Sequence, residues 1–577
     1  MKKLSKTLSL FMVICMMFLL TTVYGCKDIT NINGGKTVIL HSNDVHGEVM
    51  GYAYMAALKN KLKSAGMEVI LADSGDYSQG TTYVSVSKGA NAVELMNVTG
   101  YDVVGLGNHE FDYGFDQLKM NMNTANFEVL CSNVFDMENK HIFDANTIIE
   151  KCGVKIGFFG LETPETQTNA NPSLIQGLNF SIDSIWQNAQ SQINELKENG
   201  ADIVVCLSHL GIDISSAPYR SYDLYNNVEG LDFIIDAHSH TVMERGENDE
   251  PIQSTGTKFS NIGVVVIDND NKKISDNYLV ATGDGGFTEQ DEVVKNAAQK
   301  IIDDVNTEYG EKFAVSEVEL NGSKEPGNRT EETNNGDFIT DAMIWSMKEQ
   351  NINSITEVPS DNIVAIINGG GIRASVKAGD ITKNDIFNVL PFGNTMAVIY
   401  VTGSELIEAL EASTYCTPLS VGGFPQVSGI NFTINADIVY DKNTETYPGS
   451  TYYGPSSIKR VVINDINGKA FDKDAKYAVI TNDFCAGGGD TYYAFTKASS
   501  RIDTGYTLDT VVIDYINKGL SGVIKATDYE KPKGRINVNY TDTASAMANI
   551  GNLNLSFLIT KYDYVAALLG CFMRTTL

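Results

Sequence analysis

The chain has 577 residues, with 43 Lys and Arg against 72 Asp and Glu, and a formal net charge of −29. This length exceeds what one hydrophobic core can organise, so we expect two large domains or several small ones. A hydrophobic content of 43% excludes a mostly disordered chain and a multi-span membrane protein. The negative charge opposes binding of polymeric nucleic acid, so we expect any nucleotide bound here to be a small molecule.

The N-terminus is typical of an export signal. Lys2 and Lys3 precede an apolar stretch over residues 8–20, and Gly25 precedes Cys26. The end of this segment resembles a bacterial lipobox, which predicts removal of residues 1–25, a lipid anchor on Cys26 and a position on the outer face of the cell membrane. The alternative is an ordinary cleaved signal with an incidental Cys26, which makes the protein secreted or periplasmic.

The eight cysteines are scattered and form no CxxC pair. A zinc-thiolate site and a disulfide scaffold are therefore not expected, and any metal must use His and carboxylate ligands. Cys206 lies inside an apolar run and is predicted to be a small buried residue.

Short β-branched runs alternate with helix-length segments over residues 36–285. Continuous apolar runs of this kind are typical of strands buried on both faces in a layered α/β domain. The runs are residues 38–40, 69–71, 103–104, 156–159, 203–205, 233–235 and 264–267.

A connector and a second domain are predicted to follow. Apolar residues at helical spacing predict an amphipathic helix over 288–306, and the turn-rich stretch 321–328 ends a linking segment assigned to 286–328. We assign residues 329–540 to a second globular domain. The last segment, 541–577, receives no predicted role.

Side chains with carboxylate, imidazole or amide groups follow five of the apolar runs. Strand ends at one edge of a sheet converge in space, so these groups can meet although they are far apart in sequence. Carboxylate, imidazole and amide ligands suit Zn, Mn or a similar divalent ion. The set is too large for one catalytic ion and favours two, which can clamp both oxygens of a phosphoryl transfer. Its members are Asp44, His46, Asp76, Asn108, His109, His209, His238 and His240. His41 and His141 are predicted to be turn or surface residues and are not assigned to metals.

Three glycine-rich segments mark the second half, at residues 368–373, 422–429 and 482–490. Arg373 can fork onto phosphate oxygens, and Asp490 can accept hydrogen bonds from ribose hydroxyls. Phe424 and Phe484 can stack on both faces of a flat base. Composition alone favours ordinary core packing for either ring.

The motifs of the first half resemble those of the calcineurin-like metallophosphoesterases. The run Asn-His-Glu-Phe-Asp-Tyr-Gly at 108–114, with the segments of the second half, is similar to the two-domain 5′-nucleotidase family over roughly residues 36–540. The resemblance implies an α/β fold: an N-terminal four-layer α/β/β/α metallophosphatase domain followed by a second α/β substrate-binding domain.

The resemblance also implies how the ligands divide between two divalent ions such as Zn, Mn or Mg. The first ion takes Asp44, His46 and His240; the second takes Asn108, His209 and His238; Asp76 bridges them. His109 faces the substrate, where it stabilises charge on the phosphoryl oxygens or assists the leaving oxygen. Asp112 orients His109.

In the second domain the resemblance reverses the preference for core packing. It implies that Phe424 and Phe484 sandwich the base, that Asp490 binds the ribose and that Arg373 binds phosphate, with Asn368 in the same pocket. Two departures stand out. Gly487 occupies a position near the base where the family often has Asn, and Ala237 precedes the first His of His-x-His, where Gly is common.

The predicted function is hydrolysis of nucleoside 5′-monophosphates to nucleoside and phosphate by in-line attack of a metal-bridged hydroxide. A 2′,3′-cyclic-nucleotide 2′-phosphodiesterase/3′-nucleotidase or a UDP-sugar hydrolase stays open, because the pocket selects among phosphate esters. From another class, a surface-exposed binding protein without activity is an alternative, against which the complete ligand set argues. No protein partner is predicted.

Overall fold

The computed structural model describes residues 35–171, 174–213, 216–349 and 358–540. The predictions for the export signal, for Cys26 and for residues 541–577 lie outside the described residues. Within those ranges, no helix combines the length and the apolar character needed to cross a membrane.

The first domain contains two six-stranded sheets. Its strands are β1 (Lys36–Ser42), β2 (Glu68–Asp73), β3 (Val103–Gly105), β4 (Glu128–Leu130), β5 (Asn146–Lys151), β6 (Val154–Glu162), β7 (Ile203–His209), β8 (Phe233–Asp236), β9 (Val242–Met243), β10 (Ile252–Thr255), β11 (Asn261–Asp268) and β12 (Lys273–Ala281). The sheet orders are β12-β11-β1-β2-β3-β4 and β5-β6-β7-β8-β10-β9.

Eight α-helices belong to the first domain in the part of the chain that the structure describes. They are α1 (Gly51–Ser64), α2 (Thr82–Ser85), α3 (Ala90–Thr99), α4 (Phe115–Met122), α5 (Thr166–Asn169), α6 (Ile185–Glu198), α7 (Ser221–Asn227) and α8 (Glu292–Tyr309). Ile39 and Phe158 belong to a core between the two sheets. Helices α1, α3 and α8 share a core with the first sheet, and α6 and α7 share one with the second. The predicted four-layer α/β/β/α fold is confirmed.

Parallel pairing brings the carboxyl ends of the central strands to one edge. Strands β1, β2 and β3 run parallel in the first sheet, as do β6, β7 and β8 in the second. The runs predicted to be buried on both faces are buried, and Cys206 on β7 is fully buried as expected. The loops after these strands therefore open at a common edge of the domain.

The second domain is also a mixed α/β unit. Its strands are β13 (Lys312–Ser316), β14 (Ile363–Asn368), β15 (Gly379–Thr382), β16 (Thr395–Thr402), β17 (Pro425–Ser428), β18 (Ile430–Asn435), β19 (Lys442–Thr446), β20 (Tyr453–Pro455), β21 (Val461–Ile466), β22 (Lys476–Asn482), β23 (Ser500–Thr507), β24 (Val523–Ile524) and β25 (Ile536–Asn539). Its helices are α9 (Asn334–Glu349), α10 (Lys383–Val389), α11 (Gly403–Ser413), α12 (Asp483–Ala486), α13 (Leu508–Asp514) and α14 (Ala526–Tyr529).

A five-stranded sheet, β17-β14-β22-β16-β23, organises this domain. Separate apolar cores lie on its two faces, one including residues of α9 and α13 and the other residues of α11. Smaller sheets, β15-β13-β24 and β21-β18-β25, and the β19-β20 hairpin complete it.

The segment predicted as a connector divides between the two domains. Helix α8 is capped by Asp291, whose carboxylate accepts hydrogen bonds from two backbone N–H groups, and it buries Val294 and Ile301 in the first-domain core. Strand β13 pairs with β15 and β24 of the second domain. Packing and strand pairing thus place a helix of one domain and a strand of the other inside residues 286–328.

The prediction for His41 was wrong. This residue lies on β1 and is fully buried, with Nε2 2.9 Å from Gln253 Oε1. Burial lowers its pKa to about 4, so the ring is neutral. His141 is exposed, as expected for a surface residue.

Candidate functional site

Four predicted ligands form a compact cluster at the common edge. One ligand atom from each of Asp44, His46, Asp76 and His240 lies within 4.8 Å of the other three. Asp44 and His46 follow β1, Asp76 follows β2 and His240 follows β8. Three loops from two sheets therefore supply one set of carboxylate and imidazole ligands.

The other three predicted ligands lie beside this cluster. His209 Nε2 is 3.2 Å from Asp76 Oδ2, and His238 Nδ1 is 3.0 Å from Asn108 Oδ1. The backbone N–H of His238 donates to the Asp44 carboxylate. Asp76 thus has His46 at 3.6 Å on one side and His209 on the other, the position expected of a bridging ligand.

The donor atoms fit divalent cations. His46 Nε2 lies 3.0 Å from His240 Nε2, while His46 Nδ1 lies 3.3 Å from the carbonyl of Gln79. Burial lowers the pKa of both histidines well below the usual value, so both rings are neutral. Donation of a proton from His46 Nδ1 to Gln79 leaves its Nε2 as a lone pair, as metal ligation requires.

His209, a predicted ligand of the second ion, also has surroundings that suit a divalent cation. Its Nδ1 lies 2.7 Å from the carbonyl of Ser74, and its buried Nε2 has no hydrogen bond of good geometry. Burial opposes a charge on this ring, but the carboxylates of Asp76 and Asp44 outweigh burial and raise its pKa. The pocket therefore attracts a positive charge at Nε2, which a divalent cation supplies.

The backbone of the ligand loops is strained. Five of the seven predicted metal ligands are non-glycine residues with positive φ: Asp44 (49°), His46 (45°), Asp76 (62°), His238 (74°) and His240 (54°). Such a conformation costs on the order of 1 kcal/mol or more per residue and persists only where the surroundings hold it. Strain concentrated on these residues is typical of a functional site.

Glu110 shapes the Asp76 loop, a role that the sequence reasoning missed. Its carboxylate accepts hydrogen bonds from the backbone N–H groups of Asp76, Tyr77, Ser78 and Gly107. Gly107 is needed at this point, because a Cβ there would lie 2.4 Å from Asp76 Oδ1. The signal was available, since Glu110 lies within the motif that contains Asn108 and His109.

Glu165 is a second residue that the sequence reasoning missed. It follows β6, and its Oε2 lies 3.1 Å from His238 Nε2. A carboxylate on the far nitrogen of a ligating imidazole fixes the orientation of the ring and increases its basicity. Glu165 also lines the cavity described below, so it contacts both the ligand set and the substrate space.

His109 points at the ligand cluster from the cavity side. Its Nδ1 lies 2.6 Å from Asp112 Oδ2, and its Nε2 lies 3.9 Å from Asp76 Oδ2. Burial disfavours a charge on His109, but Asp112 and Asp76 outweigh it and raise the pKa. The ring stacks on Phe392 of the second domain, with centroids 5.7 Å apart.

A cavity of about 720 Å³ runs from this cluster to the second domain. Four predicted substrate residues line it: Asn368, Arg373, Phe484 and Asp490. Asn368 Nδ2 donates to Asp490 Oδ2 at 2.8 Å, and burial raises the pKa of Asp490 to about 6. The Arg373 guanidinium lies 5.6 Å from the centre of the Phe392 ring. The phosphate and ribose residues of the prediction thus share one space with the ligand cluster.

Phe424 is placed differently from the prediction. Its side chain is fully buried in the core of the second domain and is absent from the described lining of the cavity. Strand pairing explains this, because Phe424 directly precedes β17, whose residue Pro425 pairs with Asn368 of β14. In this arrangement the ring packs in the core, as composition alone favours, and its role opposite Phe484 stays a prediction.

Three further cations line the cavity: Lys258, Lys324 and Arg329. Burial lowers the pKa of Lys324 to about 8 and that of Arg329 to about 10. They lie in loops with no spacing pattern, so only the structure reveals them. With Arg373 they bring four cationic side chains to a lining that also contains seven carboxylates, so binding of an anion there depends on local contacts with these cations.

Two family models match the chain. "Calcineurin-like phosphoesterase" matches residues 37–242, and "5′-nucleotidase, C-terminal domain" matches residues 312–497; together they match more than half of the chain. With the four-layer fold and the ligand cluster, they define a metal-dependent phosphoester hydrolase of the calcineurin-like class. The order of the two matches is specific, and the chain belongs to the two-domain 5′-nucleotidase family.

Individual relatives agree with this assignment. The chain is 30% identical over 533 residues to the trifunctional nucleotide phosphoesterase protein of Bacillus subtilis, covering 83% of this chain but only 34% of that protein. It is 27% identical to the 5′-nucleotidase of Vibrio cholerae, covering 83% of this chain and 90% of that protein. The crystal structure of a 5′-nucleotidase precursor from Thermus thermophilus has a TM-score of 0.68 at 25% identity, covering 88% of this chain and all of that one.

Proposed function

We propose that the protein hydrolyses nucleoside 5′-monophosphates to nucleoside and phosphate with two divalent ions. One observation carries the proposal: seven metal-type ligands converge beside a cavity that also contains His109, Arg373 and Asp490. The cavity joins a centre suited to phosphorus chemistry to groups suited to a nucleoside. The family of the chain and the names of its relatives agree with this choice.

Two divalent ions, when bound, would screen the phosphate charge and lower the pKa of a water, so that it can lose its proton near neutral pH and serve as the nucleophile. Asp76 would contact both ions, with Asp44, His46 and His240 on one and Asn108, His209 and His238 on the other. The histidines would ligate as neutral imidazoles, the aspartates as charged carboxylates and Asn108 through its amide oxygen. Glu165 and Ser74 hold two of the imidazoles in the required orientation.

The remaining groups act on the substrate. His109 donates a hydrogen bond from Nδ1 to the Asp112 carboxylate. When the ring is protonated, its Nε2 can therefore donate a hydrogen bond to the phosphate. Arg373 forks onto phosphate oxygens from the other wall of the cavity. Asp490, held by Asn368, accepts hydrogen bonds from the ribose hydroxyls.

A second candidate is hydrolysis of nucleoside 2′,3′-cyclic phosphates and 3′-nucleotides. It is favoured by the similarity to a relative that is named a trifunctional nucleotide phosphoesterase. Because the ligand cluster would act on both kinds of ester, the pocket determines which of them is hydrolysed.

The test is phosphate release from AMP, 3′-AMP, 2′,3′-cyclic AMP and UDP-glucose. The enzyme is first treated with chelator and then supplied with Mn, Zn or Mg. We expect AMP to give the highest kcat/KM, with activity that disappears on chelation and returns with metal. Preference for another ester would favour that substrate class instead, and no metal-dependent turnover on any of the four would refute the enzyme proposal.

Export and lipid anchoring are a separate proposal, which rests on the N-terminal pattern and on Cys26. The variant Cys26→Ala should move the protein from the membrane fraction to the soluble fraction. Unchanged partitioning would refute the lipid anchor.

A further inference from the structure

One short segment of the first domain contacts both a predicted metal ligand and the second domain. It comprises residues 165–171, which follow β6 and include α5. Glu165, its first residue, has Oε2 at 3.1 Å from His238 Nε2. Asn171, its last residue, donates from Nδ2 to Asp483 Oδ2 of the second domain at 2.6 Å. We call residues 165–171 the interdomain segment.

Hydrogen bonds connect the interdomain segment internally and carry on into the second domain. The Glu165 carbonyl accepts a hydrogen bond from the Thr168 N–H at 2.8 Å and another from the Thr168 hydroxyl at 2.9 Å. The Thr168 carbonyl accepts in turn from the Asp490 N–H at 2.8 Å. Glu165 and Thr168 are both buried, so these bonds lie in surroundings that strengthen them. A continuous series of hydrogen bonds therefore leads from His238 to the backbone of Asp490.

The part of the second domain that meets this segment carries predicted substrate residues. Residues 483–490 begin with α12 and include two of them. Asp483 is also fixed from its own side, because its Oδ1 accepts a hydrogen bond from the Thr395 N–H at 3.0 Å. Hydrogen bonds to Asn171 and Thr168 thus hold both ends of residues 483–490 against the first domain, a contact that we call docking.

A cation at the second predicted metal position would act on the first bond of this series. His238 Nδ1 lies 3.0 Å from Asn108 Oδ1, its partner in the predicted ligand set, while Nε2 of the same ring faces Glu165. A cation on one nitrogen of an imidazole makes the N–H on the other nitrogen a stronger donor. Cation binding would therefore strengthen the bond to Glu165 and hold the interdomain segment more firmly.

We infer that the interdomain segment couples cation binding in the first domain to docking of residues 483–490. Cation binding strengthens docking, and by thermodynamic linkage docking strengthens cation binding by the same factor. The inference rests on the proposed function, because it needs the second predicted ion. It assigns Glu165, Thr168 and Asn171 as positioning residues that align the two ends of the cavity.

The first test is the Mn affinity of Asn171→Asp, measured by competition with a chromogenic chelator. The added carboxylate would lie against that of Asp483 and oppose docking, so we expect Mn affinity to decrease about fivefold or more. An added negative charge that acted only through space would instead raise the affinity for a cation. The direction of the change therefore distinguishes coupling from simple electrostatic attraction.

A reversed pair and a surface variant are the controls. Adding Asp483→Asn to Asn171→Asp exchanges donor and acceptor, so Mn affinity should return to within about twofold of the wild-type value. Asn194→Asp adds the same charge at an exposed position on α6 and should leave the affinity unchanged. An unchanged or raised Mn affinity of Asn171→Asp would overturn the inference, and so would a lowered affinity that the reversed pair does not restore.

The second test follows docking directly. The Asp490 N–H exchanges with solvent when its bond to Thr168 opens, so hydrogen–deuterium exchange of a peptide that contains Asp490 reports docking. We expect saturating Mn to slow this exchange about fivefold or more in the wild-type protein. The slowing should be smaller in Glu165→Gln, whose neutral acceptor forms a weaker bond with His238. Equal slowing in the two proteins, or no effect of Mn in either, would contradict the inference.

Neither measurement requires catalysis. If the wild-type protein binds Mn but hydrolyses none of the phosphate esters, the proposed function fails, and the affinities and exchange rates still decide the inference. Metal-dependent hydrolysis of AMP, together with wild-type Mn affinity in Asn171→Asp, would leave the proposed function intact and overturn the inference alone.

Discussion

The two ends of the cavity are built in different ways. At the metal end, each predicted ligand ends or follows a buried strand, and parallel pairing brings the strand ends to one edge. At the nucleoside end, the lining comes from a short helix, a hairpin loop and a glycine-rich turn that pack together without a common register. Groups fixed by sheet topology can be located from sequence motifs, whereas groups fixed by packing cannot.

The strongest disruption of the metal end is Asp76→Asn. It removes the one carboxylate placed between both sets of ligands, so we expect loss of both metals and a decrease in kcat/KM of at least about a thousandfold. Metal content by mass spectrometry of the purified protein is the measurement. Asp116→Asn, at an exposed position on α4, is the control and should retain both metals. Two tightly bound ions in Asp76→Asn would contradict the bridging assignment.

His109 lies at the metal end but should act on substrate alone. His109→Ala is expected to keep the wild-type metal content and to lower kcat by about a hundredfold to ten-thousandfold. Asp112→Asn should lower kcat less, because it removes only the partner that orients His109. A metal-free or fully active His109→Ala protein would show that the role is wrong.

Glu165 lines the cavity and contacts His238, so changing it tests whether a cavity residue contributes to metal affinity. Glu165→Gln replaces the acceptor on His238 Nε2, so metal affinity should decrease about tenfold to a hundredfold. The measurement is competition with a chromogenic chelator, and Glu198→Gln on the exposed face of α6 is the control. Equal affinities in the two variants would mean that Glu165 contributes nothing to the metal site.

The smallest effect is a pH dependence at the nucleoside end. The folded-state pKa of Asp490 is raised to about 6, so its carboxylate is charged above that pH and neutral below it. Binding of adenosine should therefore weaken as pH falls through about 6, by roughly tenfold in total, because the charged acceptor of the ribose hydrogen bonds is lost. Asp490→Asn should bind weakly at every pH. If adenosine affinity depended equally steeply on pH in the wild-type protein and in Asp490→Asn, Asp490 would be excluded as the titrating group.

The sequence predicted the fold class and the metal end because both follow from periodicity and from motifs at strand ends. It did not predict that Asp44, Asp76 and His238 adopt positive φ, since nothing in their identity requires it. It also misplaced His41, which lies on β1 between two neighbouring strands and forms a hydrogen bond with Gln253, more than two hundred residues away.

The limit of prediction from the sequence is clearer at the nucleoside end of the cavity. Phe424 has the flanking glycines expected of a pocket residue, yet its place beside β17 directs the ring into the core. Lys258, Arg329 and Tyr452 enter the cavity from loops whose position depends on tertiary packing. No local sequence pattern identifies such residues. A resemblance to a family therefore predicts the kind of ligand that the pocket binds but does not identify all of the residues that line it.

We propose that two divalent ions in the first domain perform the chemistry and that the second domain selects the substrate. This proposal is tested most directly by titrating chelator-treated protein with Mn while measuring hydrolysis of AMP and of ribose 5-phosphate. We expect both activities to be absent without metal and to return in parallel, reaching a plateau at two equivalents of Mn. Full activity at one equivalent, or hydrolysis of either ester by the metal-free protein, would contradict it.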